Sequence, residues 1–294
     1  MTFTGFDKGA IYSMVGLQTS SRLATVSDIM TGWVVTAAPS DSLLKTRDVM
    51  TQNRVSQLVV ADQRNRPIGL ISKRDIARFL LDDNTTRSLE EIPVSEASSK
   101  SIPTMRTDVS VLNAARMFDT DNLAYAVVTN DNPLSGIITE TDLCHYFSQK
   151  WPGKFKVTDF MRSDFIFAKS SYSVVHVAHA IIFRQPSVPV IDEELVGILT
   201  LSDILSIGEK IPDGATNLHS NAKADLALIT TKDLMTRNPI TTQEGADLAQ
   251  AARTLISKGV SSLPVIDTES KVVGLITKRD IVKALGQIDR SLEA

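Results

Sequence analysis

Hydrophobic and polar positions follow one order along the chain, and that order returns four times. The last copy shows it most clearly. Residues 239–242 are short and β-branched, and residues 248–256 then carry apolar side chains at helical spacing. Two apolar runs, 263–266 and 272–276, are separated by polar residues, and the apolar positions of 281–285 predict a closing helix. The pattern therefore predicts an α/β (α+β) unit with the order β-α-β-β-α.

The copies align well enough to predict boundaries. Asp28 matches Asp233 and Asp75 matches Asp280 with no gap between the first and last copies, and the second copy follows the first from Asp41 onward. After an N-terminal segment, 1–25, the predicted repeats are 26–81, 94–147, 157–206 and 231–285.

A unit of about 50 residues buries too little surface to be stable on its own, so the repeats are expected to pack in pairs. Polar spacers separate the repeats, and the longest lies between the third and the fourth. Sequence order therefore favours, without proving, two modules at 26–147 and 157–285.

Composition narrows the classes of function. The chain has 294 residues, 43% of them hydrophobic and 22% charged, which is an ordinary globular balance. A net charge of -3 gives no basic footprint, so neither nucleic acid nor a membrane is an expected partner. A single cysteine, Cys144, and the lack of a basic segment followed by an apolar run favour a cytoplasmic protein.

Each unit ends on the same polar motif, Gly-x-x-Ser/Thr-x-x-Asp. The hydroxyl and acid pairs are Ser72 with Asp75, Thr139 with Asp142, Thr200 with Asp203, and Thr277 with Asp280. One interpretation is helix capping, because a hydroxyl and an acid at this spacing satisfy the free N–H groups of a first turn. The other is a phosphorylated ligand, which the same N–H groups and helix dipole attract, with the acid accepting hydrogen bonds from a ribose diol. Both interpretations use the same residues.

Two further features favour a ligand. The motif glycine has no use in a cap, whereas in a strand it permits close approach of a ligand or of another backbone. Repeats one and four place a Lys-Arg pair inside the motif, and repeats two and three do not. The pairs are Lys73 with Arg74 and Lys278 with Arg279. The four sites are therefore expected to be unequal.

The whole unit, with its motif ending, resembles the CBS domain, and the resemblance covers nearly all of residues 26–285. It implies that two repeats form a Bateman module with pseudo-twofold symmetry and that clefts between repeats bind adenosine compounds. Chains with two modules, such as the gamma subunit of AMP-activated protein kinase and archaeal stand-alone relatives, pack as a disc.

The resemblance also assigns roles to residues. It places phosphate on the motif hydroxyls, ribose on the motif acids, and adenine near the first two strands of a repeat, here around Thr36 and Thr241. Repeat two has Pro103 and repeat three has Phe167 at that first-strand position, so repeats one and four are expected to bind best.

The predicted function is a non-catalytic sensor of AMP, ADP or ATP, without cofactor or metal, that regulates an enzyme or kinase. The alternatives are a purely structural interaction module and a sensor of another adenosyl ligand such as S-adenosylmethionine. A second copy of the chain, as in a homodimer, is a further candidate partner. An enzyme is the weakest hypothesis, because no nucleophile, metal cluster or Walker loop is evident. His176 and His179 lack a third ligand, and Cys144 lacks an orienting acid.

Overall fold

The computed structural model describes residues 23–82, 87–130, 134–206 and 228–289, and most of the N-terminal segment and of the longest spacer lies outside them. The predicted fold class is confirmed: four small three-stranded sheets are each accompanied by helices.

The predicted order β-α-β-β-α is found in repeats one, two and four, each after a short leading helix, and repeat four has an additional two-residue strand before it. Repeat three has only the bridge of Ala168 to Val190 in place of a first strand. Repeat one contains α1 Val26–Ile29, β1 Thr36–Ala37, α2 Leu43–Gln52, β2 Gln57–Ala61, β3 Pro67–Ser72 and α3 Lys73–Asp82. Repeat two contains α4 Val94–Ala97, β4 Thr104–Arg106, α5 Val111–Thr120, β5 Tyr125–Thr129, β6 Gly136–Thr139 and α6 Glu140–Lys150. Repeat three contains a 3-10 turn Val157–Asp159, α7 Val174–Phe183, β7 Ser187–Ile191, β8 Leu195–Thr200 and α8 Leu201–Leu205. Repeat four contains α9 Thr231–Leu234, β9 Thr236–Arg237, β10 Thr242–Gln243, α10 Leu248–Ser257, β11 Ser262–Ile266, β12 Val272–Thr277 and α11 Lys278–Gly286.

The second and third strands of each repeat form the predicted antiparallel hairpin, and the first strand, where present, pairs with the second in parallel. The strand predicted over 239–242 is wrong in its bounds, because pairing begins only at Thr242, opposite Val265. At the preceding position Thr241 would face Pro264, which has no N–H group to donate to a ladder.

Sheets from neighbouring repeats face one another. Val59 and Leu70 of repeat one form a small buried core with Val127 of repeat two. In the second half of the chain, the buried hydroxyls of Ser187 and Ser262 contact each other between repeats three and four. The sheets of repeats one and two thus cover each other, as do those of repeats three and four.

Short segments at the start of the repeats cross onto the neighbouring sheet. Thr31 of repeat one bridges to Ile137 of repeat two, and Arg162 of repeat three bridges to Leu275 of repeat four. Strand β9 of repeat four pairs with β8 of repeat three. The polar motif at the end of each of these third strands therefore lies beside residues from another repeat.

Helices join the two halves of the molecule. Helix α11 of repeat four packs on α5 and α6 of repeat two around one large core, whereas α3 of repeat one packs on α8 and α7 of repeat three between two smaller cores. No helix among the described residues is both long and apolar enough to cross a membrane.

Candidate functional site

The motif hydroxyl and acid form a helix cap at all four strand-to-helix junctions. The Ser72 hydroxyl donates to Asp75 Oδ2 at 2.6 Å and the Ser72 N–H donates to the same oxygen at 2.8 Å. The same pair of bonds recurs in the other three motifs. The capping interpretation is therefore confirmed as local structure, and it uses only one carboxylate oxygen of each acid.

The same cap also occurs away from the motifs. Asp28 accepts the Thr25 N–H at 2.7 Å, and Asp233 accepts the Thr230 hydroxyl at 2.5 Å. Both acids are exposed, whereas the motif acids of repeats two, three and four are 3%, 6% and 4% exposed. Because a carboxylate is rarely buried to this degree without partners, burial separates these three motif acids from ordinary caps, while Asp75 is half-buried.

The motif glycines admit another segment of the chain. A Cβ at Gly274 would lie 2.7 Å from Met161 Sδ and 3.1 Å from the Arg162 carbonyl oxygen. A Cβ at Gly136 would lie 2.9 Å from both Met30 Sδ and the Thr31 carbonyl oxygen. The sequence allowed two reasons for glycine here, close approach of a ligand or of another backbone. The structure shows the close approach of another backbone.

The crossing segment brings a side chain to the second oxygen of two motif acids. Arg162 Nε of repeat three donates to Asp280 Oδ1 at 2.9 Å, and the Thr236 hydroxyl of repeat four donates to Asp203 Oδ1 at 3.2 Å. These sites are therefore composite, with the cap from one repeat and a hydrogen-bond donor from its neighbour.

A cavity of about 390 Å³ opens beside Asp280. Its lining includes Met161 and Arg162 from the crossing segment, Arg279 and Lys283 from α11, and Asp119 from repeat two. It is large enough for a nucleotide-sized ligand.

The Lys-Arg pair of repeat four contacts repeat two. Arg279 donates to Glu140 Oε1 at 3.0 Å and to the Leu123 carbonyl oxygen at 2.8 Å, and it also contacts Asn122. Lys278 Nζ lies 3.0 Å from the Thr141 hydroxyl. The two cations predicted beside a phosphate thus also tie the two halves of the chain together.

Burial and charge act in opposite directions on Glu140. Burial raises the pKa of this carboxyl, and the Arg279 guanidinium, with smaller contributions from Lys278 and Arg74, partly offsets that rise. The pair is well enclosed, with 25% of the Arg279 side chain and 21% of the Glu140 side chain exposed.

The corresponding pair in repeat one has different surroundings. Burial lowers the pKa of Lys73, while Arg74 is exposed and makes no hydrogen bond or ion pair among the described residues. Burial raises the pKa of Tyr125, from repeat two, to about 12, with a further contribution from the nearby Asp75 carboxylate. Tyr125 therefore contributes to the surroundings of the first motif.

Of the two residues expected near adenine, only Thr36 lies in a strand. Thr36 is exposed and sits opposite Val59, and Thr241 precedes β10. The backbone carbonyl of Pro103 accepts the Val127 N–H at 2.8 Å, and Phe167 is 49% exposed. Their contacts with adenine stay a prediction.

The remaining candidates have structural contacts. Cys144 is fully buried, its Sγ lies 3.4 Å from the Lys278 carbonyl oxygen, and burial raises its thiol pKa well above the usual value. The ring of His179 packs against Phe183. The described residues contain no group of three or more His, Cys, Asp or Glu side chains that could hold a metal ion.

Sequence reasoning did not find Arg162 and Tyr125. Arg162 occupies the position of Thr31 and Thr236 directly after the crossing methionine, so its alignment could have identified it. No such pattern points to Tyr125, which reaches the first motif only because two sheets face each other.

Comparison with known proteins identifies the family of this arrangement. The CBS domain model matches residues 26–82, 94–149, 157–210 and 232–287, and the chain therefore belongs to the CBS domain family. The predicted resemblance is confirmed.

Several relatives share the arrangement. The protein MJ1225 of Methanocaldococcus jannaschii is 26% identical over 269 residues, covering 85% of this chain and 94% of its own length. Its crystal structure, described as that of a proposed archaeal homologue of the AMPK γ subunit, matches with a TM-score of 0.79 at 24% identity over 89% of this chain and 99% of that one.

Another relative matches about half of the chain. CBSX2 of Arabidopsis thaliana, a chloroplast protein, is 30% identical over 163 residues, covering 48% of this chain and 68% of its own length. Its structure in complex with AMP has a TM-score of 0.39 at 29% identity over 46% of this chain and 99% of that one.

Proposed function

We propose that this CBS-domain protein is a non-catalytic regulatory protein that binds AMP, ADP or ATP in its composite clefts and acts as an energy or metabolite sensor. The observation that carries the proposal is the burial and hydrogen bonding of the motif acids. They are more buried than the ordinary caps, and the two with donors to Oδ1 use one oxygen in the cap and the other toward a neighbouring repeat.

A ligand in such a cleft would use three features of the motif. The helix N-terminus and the hydroxyl suit a phosphate, the second acid oxygen suits a ribose diol, and the edge formed by the first two strands suits adenine. The proposed nucleotide-binding residues are Thr36, Ser72, Lys73, Arg74, Asp75, Thr139, Asp142, Thr200, Asp203, Thr241, Thr277, Lys278, Arg279 and Asp280.

Nucleotide binding would be read out through the contacts between repeats. Each composite cleft joins two repeats, so a ligand that fills it changes the free energy of their relative placement. A regulated enzyme or kinase that contacts both repeats would sense that change. A second copy of the chain is the other proposed partner.

Titration calorimetry with AMP, ADP, ATP and S-adenosylmethionine tests the proposal. Asp75→Asn and Asp280→Asn are expected to weaken nucleotide binding by at least about tenfold, because a hydrogen bond to a charged group contributes about 1.5–3 kcal/mol. Asp28→Asn is the matched control, since Asp28 makes the same cap outside the motifs and is exposed. It should leave affinity unchanged.

The structural alternative gives a different result. If the motif acids only cap helices, all three variants lose thermal stability and no nucleotide produces heat with the wild-type protein. Binding of S-adenosylmethionine without AMP, ADP or ATP would instead identify another adenosyl ligand.

A further inference from the structure

We infer that Arg162 makes the cleft of repeat four selective for phosphorylated ligands over uncharged adenosyl compounds. The inference rests on the proposed function and names the ligand class of one cleft. It starts from a difference among the four clefts in the residue that a neighbouring repeat places beside the motif, which is separate from the Lys-Arg pairs.

The position after the crossing methionine differs between the clefts. Thr31 occupies it beside the motif of repeat two, Thr236 beside that of repeat three and Arg162 beside that of repeat four. Ser99 takes the corresponding place beside Leu70 of repeat one. Only the cleft of repeat four therefore receives a charged side chain from this position.

The backbone fixes Arg162 in place. Its N–H donates to the Leu275 carbonyl and its carbonyl accepts the Leu275 N–H, both at 2.9 Å. Gly274 leaves room for this approach, since a Cβ there would lie 3.1 Å from the Arg162 carbonyl oxygen. The side chain consequently enters the cavity beside Asp280 from a rigid position.

The ion pair with Asp280 occupies the oxygen that a ribose diol would use. Arg162 Nε lies 2.9 Å from Asp280 Oδ1, while Oδ2 accepts the hydroxyl and N–H of Thr277. The Arg162 side chain is 37% exposed and that of Asp280 is 6% exposed. A ribose diol that donates to Oδ1 therefore competes with the guanidinium for this oxygen.

The ligand then determines what the displaced guanidinium meets. A nucleotide brings its own phosphate into the same cavity, and a guanidinium binds phosphate with paired, charge-assisted hydrogen bonds. Adenosine has no anion to offer, so it loses the Arg162–Asp280 pair without replacement. The expected preference for AMP over adenosine at this cleft is about tenfold or more, the effect of one unreplaced charged hydrogen bond.

Two substitutions separate this role from simple packing. Arg162→Thr places the residue found at the same position in the clefts of repeats two and three, and it frees Asp280 Oδ1. Affinity for AMP should fall while affinity for adenosine rises or stays level, which lowers the preference by about tenfold. Arg162→Lys keeps the charge and should retain most of the preference.

The measurement is titration calorimetry of the full chain with AMP and with adenosine. Asp280→Asn identifies which binding events belong to the cleft of repeat four. Arg106→Thr is the matched control, because it removes an Arg–Asp pair in which both side chains are 65% exposed. Melting temperatures verify that each variant is folded.

The outcomes distinguish the two proposals. A preference that falls in Arg162→Thr and survives in Arg162→Lys and in Arg106→Thr supports the inference. An unchanged preference in Arg162→Thr, with binding still lost in Asp280→Asn, overturns the role of Arg162 and leaves the proposed function standing. A wild-type protein that binds neither AMP nor adenosine overturns this inference, and one that also fails to bind ADP and ATP overturns the proposed function.

Discussion

Replacing Arg279 with methionine tests whether this residue stabilises the contact between repeats two and four. The substitution keeps an unbranched side chain and removes the charge that pairs with Glu140 at 3.0 Å. Breaking a fully buried pair costs about 3–5 kcal/mol, and partial exposure of both side chains reduces this to about 2 kcal/mol. The melting temperature should then fall by about 4 °C.

The pH dependence has a defined sign. Burial already raises the pKa of Glu140, and loss of Arg279 removes a contribution that opposes the rise. A carboxyl whose folded pKa lies above its unfolded pKa destabilises the fold at pH values above both, and protonation removes that cost as the pH falls. The stability deficit of Arg279→Met should therefore shrink between pH 7 and pH 5.

Arg106→Met is the matched control, since it removes an Arg–Asp pair in which both side chains are 65% exposed. Its free energy of unfolding should change by less than about 0.5 kcal/mol. Urea unfolding and AMP titration of both variants give the comparison. Wild-type stability in Arg279→Met, together with a selective loss of AMP affinity, would refute the reasoning and return Arg279 to phosphate binding alone.

Two further predictions concern close packing. Gly136→Ala should lower the free energy of unfolding by about 1–3 kcal/mol, because its Cβ would lie 2.9 Å from Met30 Sδ and from the Thr31 carbonyl oxygen. Gly245→Ala is the control for thermal unfolding, because a Cβ there would have nothing within 4 Å and should not destabilise the fold. Equal melting temperatures for the two variants would contradict the assigned role of the motif glycine. Cys144 should react with a thiol reagent only when the protein unfolds, because it is fully buried and its thiol pKa is raised. Stoichiometric labelling of the native protein would show that this interior is open.

The sequence predicts most of what depends on local spacing. The hairpin of repeat four and the cap that Asp280 forms with Thr277 follow from periodicity and from a three-residue interval. The strand over 239–242 is misplaced because its pairing depends on a partner strand that contains Pro264.

Contacts between distant residues account for the rest. Arg162 and Asp280 lie 118 positions apart, and Arg279 and Glu140 lie 139 apart. Their meeting depends on how repeats dock, which a pattern within one repeat does not encode. Sequence analysis could therefore predict a cation beside the fourth motif while missing that the one paired with Asp280 comes from repeat three.

The central claim is that the motif acids bind nucleotides as well as capping helices. Titration calorimetry with AMP on the wild-type protein and on the Asp75→Asn/Asp280→Asn double variant tests it most directly. We predict saturable binding at about two sites per chain in the wild type, since repeats one and four are expected to bind best, with affinity lowered at least about tenfold at both sites in the variant. Absence of binding to the wild type, or equal affinity in the folded variant, would contradict the account.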